Sequence, residues 1–352
     1  MAGGVESYSW AVSQAFTRIC AQVTLLTVSA SGDLPTKKTQ LKRMTCLRGS
    51  SQFLLLLHFV MQLLFWRIKG DKFDVVHATT WRMALPALLV FPTSKLVITI
   101  HGNEILVKPV ALKKLMRWAI SKADLLVCVS GYTEELLQDV VSPRNVRTLI
   151  NYNGILSAAS ITRIEEKWTE PNEPLKVFTV CRHEPRKNLV AALEGFISSN
   201  IEGEYRIAGT GPETEKLKAL TEKYPSANVT LLGRISETQL KEELLHASIF
   251  LHPQIEMKSS GDVEGFGLVV ADAMAHGCVV IAGANGGTKE LIDHHATGLA
   301  LNTCDSDEID SQLTWCDRNQ AQLGRIGLAA HQRATTDFDW DRHATKIIAE
   351  LQ

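Results

Sequence analysis

The segment 261–276, GDVEGFGLVVADAMAH, holds the residues whose types and spacing best suit chemistry. Glu264 lies in a predicted loop, and Gly265 and Gly267 let the backbone approach a ligand closely because glycine has no side chain. A helix is predicted to begin near Phe266. Its free N–H groups and positive dipole end would bind a diphosphate.

Asp272 follows Glu264 by eight residues, about 12 Å along a helix at ~1.5 Å per residue. That separation matches the distance between the hexose and the ribose of an extended nucleotide sugar. An ordinary acidic turn before a helix, with Asp272 solvated on another helix face, explains the same residues. The spacing alone leaves both interpretations open.

A second basic motif, VCRHEPRKN, joins a predicted strand to a predicted helix and contains Arg182 and Lys187. Cleavage of a sugar–phosphate bond leaves a diphosphate whose new charge must be stabilised in place. Two cations five residues apart in such a loop can do this without a metal, and no DxD pair occurs where a metal–diphosphate site would need it. A solvated basic turn is the alternative.

Together these motifs resemble the retaining GT-B glycosyltransferases of family 4. The segment 264–272 is similar to the family's E-x7-E motif, with Asp272 in place of the usual second Glu. The resemblance implies that Glu264 contacts the transferred sugar and that the second carboxylate holds the ribose hydroxyls. Because Asp is one methylene shorter than Glu, the ribose contact is the weaker part of the match.

Other short motifs follow in the family's order over nearly the whole chain, from the glycine loop Gly3-Gly4-Val5-Glu6 to Gly286-Gly287-Thr288-Lys289-Glu290. The catalytic residues that the resemblance implies are His101 and Glu264, with no metal and no cofactor. The implied donor-binding residues are Gly3, Gly4, Arg182, Lys187, Gly233, Arg234, Gly265, Phe266, Gly267, Leu268 and Asp272. Gly209-Thr210-Gly211 lacks the third glycine and the acidic residue of a dinucleotide site, which argues against NAD.

His101 opens the motif HGNE directly after a predicted strand, and it resembles the family's acceptor-side histidine. A hydrogen-bonded histidine at a strand end is the alternative. Ser130-Gly131-Tyr132 and Asn153-Gly154 resemble two further turns of the first domain. Glu290 is better interpreted as a charge at a helix N-terminus than as a ligand contact.

Short β-branched runs alternate with amphipathic helices in both halves of the 352-residue chain, a pattern typical of βαβ units and parallel sheets. We therefore predict an α/β fold with two Rossmann-like doubly wound domains facing a cleft. The predicted divisions are an acceptor-binding domain over 1–156, a linker over 157–174 and a nucleotide-sugar-binding domain over 175–335. A helix over 336–352 is predicted to cross back to the first domain.

The first domain lacks an expected strand, because Gly3-Gly4 opens directly into a predicted helix. A doubly wound domain places its glycine-rich turn after its central first strand. We therefore expect a gap in the first sheet, or another segment in that position, and roughly 10–20 further native residues upstream that include a strand of typical length.

Charge is distributed unevenly. Residues 1–150 contain 18 Lys and Arg against 9 Asp and Glu, and residues 151–352 contain 19 against 29, although the whole chain has a net charge of −1. A basic half indicates an anionic partner such as a phosphorylated lipid or a membrane surface. Basic residues of the 37–72 region flank the apolar run 53–66, which suits peripheral membrane contact, whereas a fully buried helix is the alternative.

We expect a retaining, metal-independent hexosyltransferase of envelope polysaccharide or glycolipid synthesis. Its partners would be a nucleotide-sugar donor, with GDP-mannose slightly preferred, and a glycan or lipid-linked acceptor, but no nucleic acid. A GT-B sugar-nucleotide epimerase and a degenerate, non-catalytic sugar-nucleotide binder are the alternatives. The seven dispersed cysteines and the absence of a signal-peptide pattern favour a cytoplasmic protein, in part peripheral at the inner face of the membrane.

Overall fold

The computed structural model describes residues 4–20, 22–28, 43–47, 52–141, 146–169, 173–257 and 262–352. The chain divides into two units, one formed by residues 2–153 with 340–352 and the other by residues 154–339. Both are α/β units built on parallel strands. Gly3 and the other residues before Gly4, and most of the basic segment 37–51, lie outside the described residues.

The first unit contains helices and parallel strands. Its elements are α1 Gly4–Ile19, β1 Thr24–Val28, β2 Arg43–Leu47, α2 Gln52–Ile68, β3 Val75–Ala78, α3 Trp81–Val90, β4 Lys95–Ile100, α4 Val110–Ile120, β5 Leu125–Cys128, α5 Gly131–Val141 and β6 Thr148–Ile150. The last helix of the chain, labelled α13 below and formed by Trp340–Leu351, also belongs to this unit.

The strands of this unit form two separate sheets, in the orders β1-β2 and β3-β4-β5-β6. Among the described strands, β1 pairs with β2 and not with β3, so the expected interruption of the first sheet is present. The core of the four-stranded sheet contains Ile98 and Leu126 on one face, and Val97 and Val127 on the other. Alternate residues of β4 and β5 therefore serve opposite faces, as the pleat requires.

The second unit is a six-stranded parallel sheet with helices packed against it. Its elements are α6 Ile161–Lys167, β7 Leu175–Val180, α7 Leu189–Ser199, β8 Gly203–Ala208, α8 Thr214–Lys223, β9 Val229–Gly233, α9 Glu237–His246, β10 Ile249–His252, α10 Leu268–Ala275, β11 Val279–Gly283, β12 Leu299–Leu301, α11 Ser306–Arg318 and α12 Gln320–Asp337.

The strand order is β12-β11-β10-β7-β8-β9. The chain thus builds outward from β7 in one direction, returns to the centre at β10 and builds outward in the other. This is the doubly wound order, and its reversal point lies between β7 and β10. Ligands of such sheets bind at the carboxyl ends of the two strands that flank the reversal.

The predicted linker 157–174 contains α6, which the polar sequence did not indicate. Ser160 caps this helix by accepting a hydrogen bond from the Arg163 backbone, and Ile164 is only 1% exposed. Lys167 Nζ donates to the backbone carbonyls of Leu244 and His276, each at 3.0 Å. These contacts make the segment part of the second unit, and the units divide at Asn153–Gly154 rather than at residue 156.

Candidate active site

A cluster of charged side chains lies at the reversal point of the second unit's sheet. Lys187, in a short 3₁₀ turn after β7, places Nζ 2.5 Å from Glu264 Oε2. Arg186, its neighbour, places Nη1 2.9 Å from the same oxygen. His252, the last residue of β10, completes the cluster with Nε2 3.5 Å from Lys187 Nζ and 4.0 Å from Glu264 Oε2.

All four side chains are largely buried, with exposed fractions of 9% for Arg186, 10% for Lys187, 2% for His252 and 20% for Glu264. Burial alone would raise the pKa of the Glu264 carboxyl, but Lys187 and Arg186 hold it well below its usual range. Burial, followed by the charge of Lys187, lowers the pKa of His252 to about 3. At neutral pH the cluster therefore consists of two cations, one carboxylate and one neutral imidazole.

Glycines fix the backbone that carries Glu264. The Gly287 amide donates to the Glu264 carbonyl at 2.7 Å. A Cβ on Gly287 would lie 2.0 Å from the Gly265 carbonyl oxygen, so only glycine fits there. Gly267 precedes the first turn of α10 with φ +94°, a conformation that favours glycine. The predicted loop is therefore present, and α10 begins at Leu268, two residues after the predicted start. Phe266 is buried and packs edge-to-face on Phe338.

Arg182 and Lys187, predicted as a pair, are placed differently. Lys187 points into the cluster, whereas the Arg182 side chain is 77% exposed and pairs with Glu184 at 2.9 Å. The buried arginine beside Glu264 is Arg186, which is not among the residues predicted from the sequence. The only sequence signal for it was its position next to Lys187 in EPRKN. A diphosphate contact by Arg182 stays a prediction.

Asp272 lies in the middle of α10 and is 4% exposed. Its Oδ1 accepts a hydrogen bond from the Leu156 backbone amide at 2.7 Å. Burial raises the pKa of this carboxyl to about 7, although hydrogen bonds from the Leu156 and Ser157 amides oppose the rise. Asp272 is thus packed against the segment that enters the second unit. A ribose contact would need the same carboxylate, and it stays a prediction.

The remaining predicted donor residues lie at the carboxyl edge of the same sheet or at the chain's start. Gly233 has φ +63° and accepts a hydrogen bond from the Gly209 amide at 2.7 Å. Arg234 is exposed, with Nε 3.4 Å from Thr210 Oγ1. Gly4 begins α1, and a Cβ placed on it would meet nothing within 4 Å.

In the first unit, His101 follows β4 at the carboxyl edge of the four-stranded sheet. Its backbone amide donates to Glu104 Oε1 at 2.7 Å, and the Tyr8 ring packs against its ring with centroids 4.8 Å apart. Burial lowers the pKa of His101 to about 4, so the imidazole is neutral. Within the described part of the chain, its buried Nε2 has no hydrogen-bond partner.

A buried polar network that sequence reasoning missed lies behind His101. Tyr8 Oη is 2.9 Å from Thr99 Oγ1 and 3.0 Å from His343 Nε2, and His77 Nε2 is 2.7 Å from Thr99 Oγ1. Burial lowers the pKa of His77 to about 3 and that of His343 to about 4. His343 lies on α13, so the last helix supports the element that carries His101. Tyr8 and His343 are 335 positions apart, so no local sequence pattern indicates their contact.

Two protein-family models match the sequence of this chain. Residues 2–155 match the family described as glycosyltransferase family 4, and residues 160–333 match glycosyl transferases group 1. The chain belongs to the GT-B glycosyltransferases. The match confirms the family resemblance. The parallel sheets of the two units confirm the predicted α/β fold.

Curated relatives and solved structures agree with this assignment. The chain is 28% identical over 291 residues to a GDP-mannose-dependent α-(1-6)-phosphatidylinositol monomannoside mannosyltransferase of Mycobacterium tuberculosis, covering 76% of this chain and 74% of the relative. It is 26% identical over 285 residues to the M. tuberculosis glycogen synthase, covering 77% and 67%.

Two solved structures share the fold. Sucrose-phosphate synthase from Thermosynechococcus elongatus has a TM-score of 0.77 at 17% identity over 99% of this chain and 92% of that one. The Anabaena protein HepE, in complex with UDP and glucose, has a TM-score of 0.73 at 17% identity over 99% and 96%.

Proposed function

We propose that this glycosyltransferase moves a hexose from a nucleoside diphosphate sugar to a glycan or lipid-linked acceptor, with retention of anomeric configuration and without a metal or cofactor. GDP-mannose is the favoured donor and a glycolipid the favoured acceptor. The observation that carries the proposal is the buried cluster of Lys187, Arg186 and Glu264 at the reversal point of the second sheet.

The cluster suits the chemistry of the donor. The leaving nucleoside diphosphate gains negative charge as the glycosidic bond breaks, and a fixed cation in a water-poor site stabilises that charge strongly. Lys187 can supply it, and Glu264, the most exposed member of the cluster, can reach a sugar hydroxyl or the anomeric region. GDP-mannose is favoured because the M. tuberculosis relative and a second one, from Corynebacterium glutamicum, carry that donor in their names.

A direct assay separates this proposal from its alternatives. Purified protein is incubated with GDP-mannose, and in parallel with UDP-glucose, together with a phosphatidylinositol monomannoside acceptor. Mannosylated lipid with the α configuration by NMR, formed equally well in EDTA, is the expected result. A β product would refute retention, and a strict Mg²⁺ requirement would refute the metal-free proposal. Epimerised or free sugar from donor alone would favour an epimerase, and binding without turnover a non-catalytic binder.

We further propose peripheral contact between α2 and an anionic bilayer at the cytoplasmic face. Exposed apolar side chains recur on one face of this helix, with exposed fractions of 47% for Leu57, 59% for Met61, 49% for Phe65 and 84% for Ile68. This exposure disagrees with the alternative of a fully buried helix. Lys69 Nζ lies 4.4 Å above the Phe65 ring, so positive charge borders the apolar face. In the described part of the chain, no helix combines the length and apolarity needed to cross a bilayer.

Vesicle sedimentation tests this contact. The wild type should sediment with vesicles containing phosphatidylglycerol and much less with pure phosphatidylcholine. Replacing Met61 and Ile68 by Gln should weaken binding at least about fivefold, because each exposed apolar side chain contributes on the order of 1 kcal/mol when buried in lipid. Val110→Gln, at a 70% exposed position on α4, is the matched control. Equal sedimentation of all three proteins would refute the proposal.

A further inference from the structure

The carboxylate of Glu264 is paired with Lys187, the cation that the diphosphate of the donor needs. Its Oε2 is 2.5 Å from Lys187 Nζ, and both side chains are mostly buried. A diphosphate arriving at Lys187 therefore meets a negative charge already bound there. Like charges this close oppose binding, and the cost rises in a site with little water.

Arg186 offers the carboxylate a second anchor. It donates to the same oxygen at 2.9 Å, and its Nε lies 3.6 Å from Asp262 Oδ1. The guanidinium is 9% exposed and lies beside two carboxylates, so it is buried and its positive charge is already balanced. His252 is neutral and packs beside Lys187, so it does not compete for either anion.

We propose that Glu264 is an exchangeable counter-ion, which neutralises Lys187 when no donor is bound. When a nucleoside diphosphate binds Lys187, the Glu264 carboxylate remains paired with Arg186 alone, and this pairing directs it toward the sugar. Arg186 is thus a positioning residue. It acts through Glu264 and does not contact the phosphates. This inference rests on the proposed function, because it takes the diphosphate of a nucleotide sugar as the ligand of Lys187.

Two consequences follow for binding of the bare nucleotides GDP and UDP. Glu264→Gln removes the competing charge and should tighten binding about tenfold, while kcat with the donor sugar falls steeply. Arg186→Gln leaves Glu264 on Lys187 and should weaken nucleotide binding about tenfold and lower kcat. Arg186→Lys keeps a cation and should recover much of both losses.

Titration calorimetry of wild type, both single variants and the double variant tests the mechanism. If Arg186 acts through Glu264, Arg186→Gln should cost less than about threefold in affinity once Glu264 is Gln, because the two effects are coupled. An undiminished loss in the double variant would show that Arg186 binds phosphate directly and would overturn the proposal. The proposal is also overturned if Glu264→Gln alone fails to tighten binding, which stays measurable even if Arg186→Gln does not fold.

Arg206 and Glu243 provide a matched control pair in the same unit. Arg206 donates to both carboxylate oxygens of Glu243, at 2.7 and 2.6 Å, and neither residue belongs to the cluster. Arg206→Gln and Glu243→Gln should leave GDP and UDP affinities unchanged. If the wild type binds neither nucleotide, the proposed function is refuted, and this inference with it. If the wild type binds a nucleotide but Glu264→Gln does not tighten that binding, only this inference is refuted.

Discussion

Replacing Asp272 by Asn should stabilise the second unit more at alkaline than at acid pH. The Asn amide oxygen can still accept the hydrogen bond from the Leu156 amide, so this contact is kept while the charge is removed. Burial raises the folded-state pKa of Asp272 from 3.8 to about 7. The folded protein therefore binds this proton more tightly than the unfolded chain, and stability is lost as pH rises through the interval from 3.8 to about 7.

The size of this pH-dependent change in stability follows from the difference between pH 5 and the folded-state pKa of Asp272. At 1.36 kcal/mol per pKa unit, two units between pH 5 and about pH 7 predict that the advantage of Asp272→Asn grows by about 3 kcal/mol between pH 5 and pH 8. Urea unfolding at both pH values, followed by circular dichroism, measures this difference. Asp305→Asn is the control, because the pKa of Asp305 is lowered by its helix-capping hydrogen bonds and the residue is ionised throughout this range.

A constant difference between Asp272→Asn and wild type at the two pH values would refute this reasoning, since it would show that Asp272 titrates as a solvated carboxyl. GDP binding by the same variant tests the ribose prediction independently. A tenfold or larger loss of affinity without a pH-dependent gain in stability would establish Asp272 as a ribose ligand. Retained affinity with the pH-dependent gain would establish it as an internal anchor. Asp272→Glu should destabilise the fold if the pocket fits Asp and improve donor affinity if the ribose contact is merely short.

Three further predictions concern the two sites. Lys187→Ala should weaken GDP or UDP binding by roughly 1.5–3 kcal/mol in calorimetry, and Arg182→Ala should do the same only if that exposed side chain reaches the phosphates; unchanged affinity in both would remove the assignment. Gly287→Ala should lower kcat and the thermal midpoint, since its Cβ would meet the Gly265 carbonyl at 2.0 Å; wild-type kinetics would contradict this clash. Acid should destabilise the first unit as pH falls from 6.5 toward 4, because neutral His77 and His343 must gain protons, and replacing both by Gln should reduce that loss in urea titrations.

Much of the fold could be predicted because strands and glycine turns leave local signals. The apolar runs 176–180 and 249–251 predict two strands of the second sheet, and the structure has β7 and β10 within one residue of those bounds. The short strand β12 was not predicted. Helices without an amphipathic pattern were missed. α3 contains Pro86, which sequence patterns treat as a helix breaker, and α6 is short, with Ile164 its one buried apolar side chain.

The site was predictable where a motif fixes the backbone and unpredictable where the outcome depends on side-chain direction. Glu264 and Lys187 were both selected from the sequence, and the structure brings them into contact. Which arginine of CRHEPRKN turns inward depends on the 3₁₀ turn at Pro185–Lys187 and on Asn188, whose φ is +55°. The partner of Asp272 lies 116 positions earlier in the chain, beyond any local pattern.

The membership of α13 in the first unit has a consequence for the order of synthesis. Ile347 and Leu351 belong to the same apolar cluster as Val97 and Val127, and Arg18 pairs with Asp341 at 2.5 Å. The first unit is therefore discontinuous, and its core is completed by residues that are synthesised after the whole second unit. During translation the second unit can finish folding while the first, although made earlier, still exposes part of its sheet. Nascent chains should thus depend on chaperones until α13 emerges.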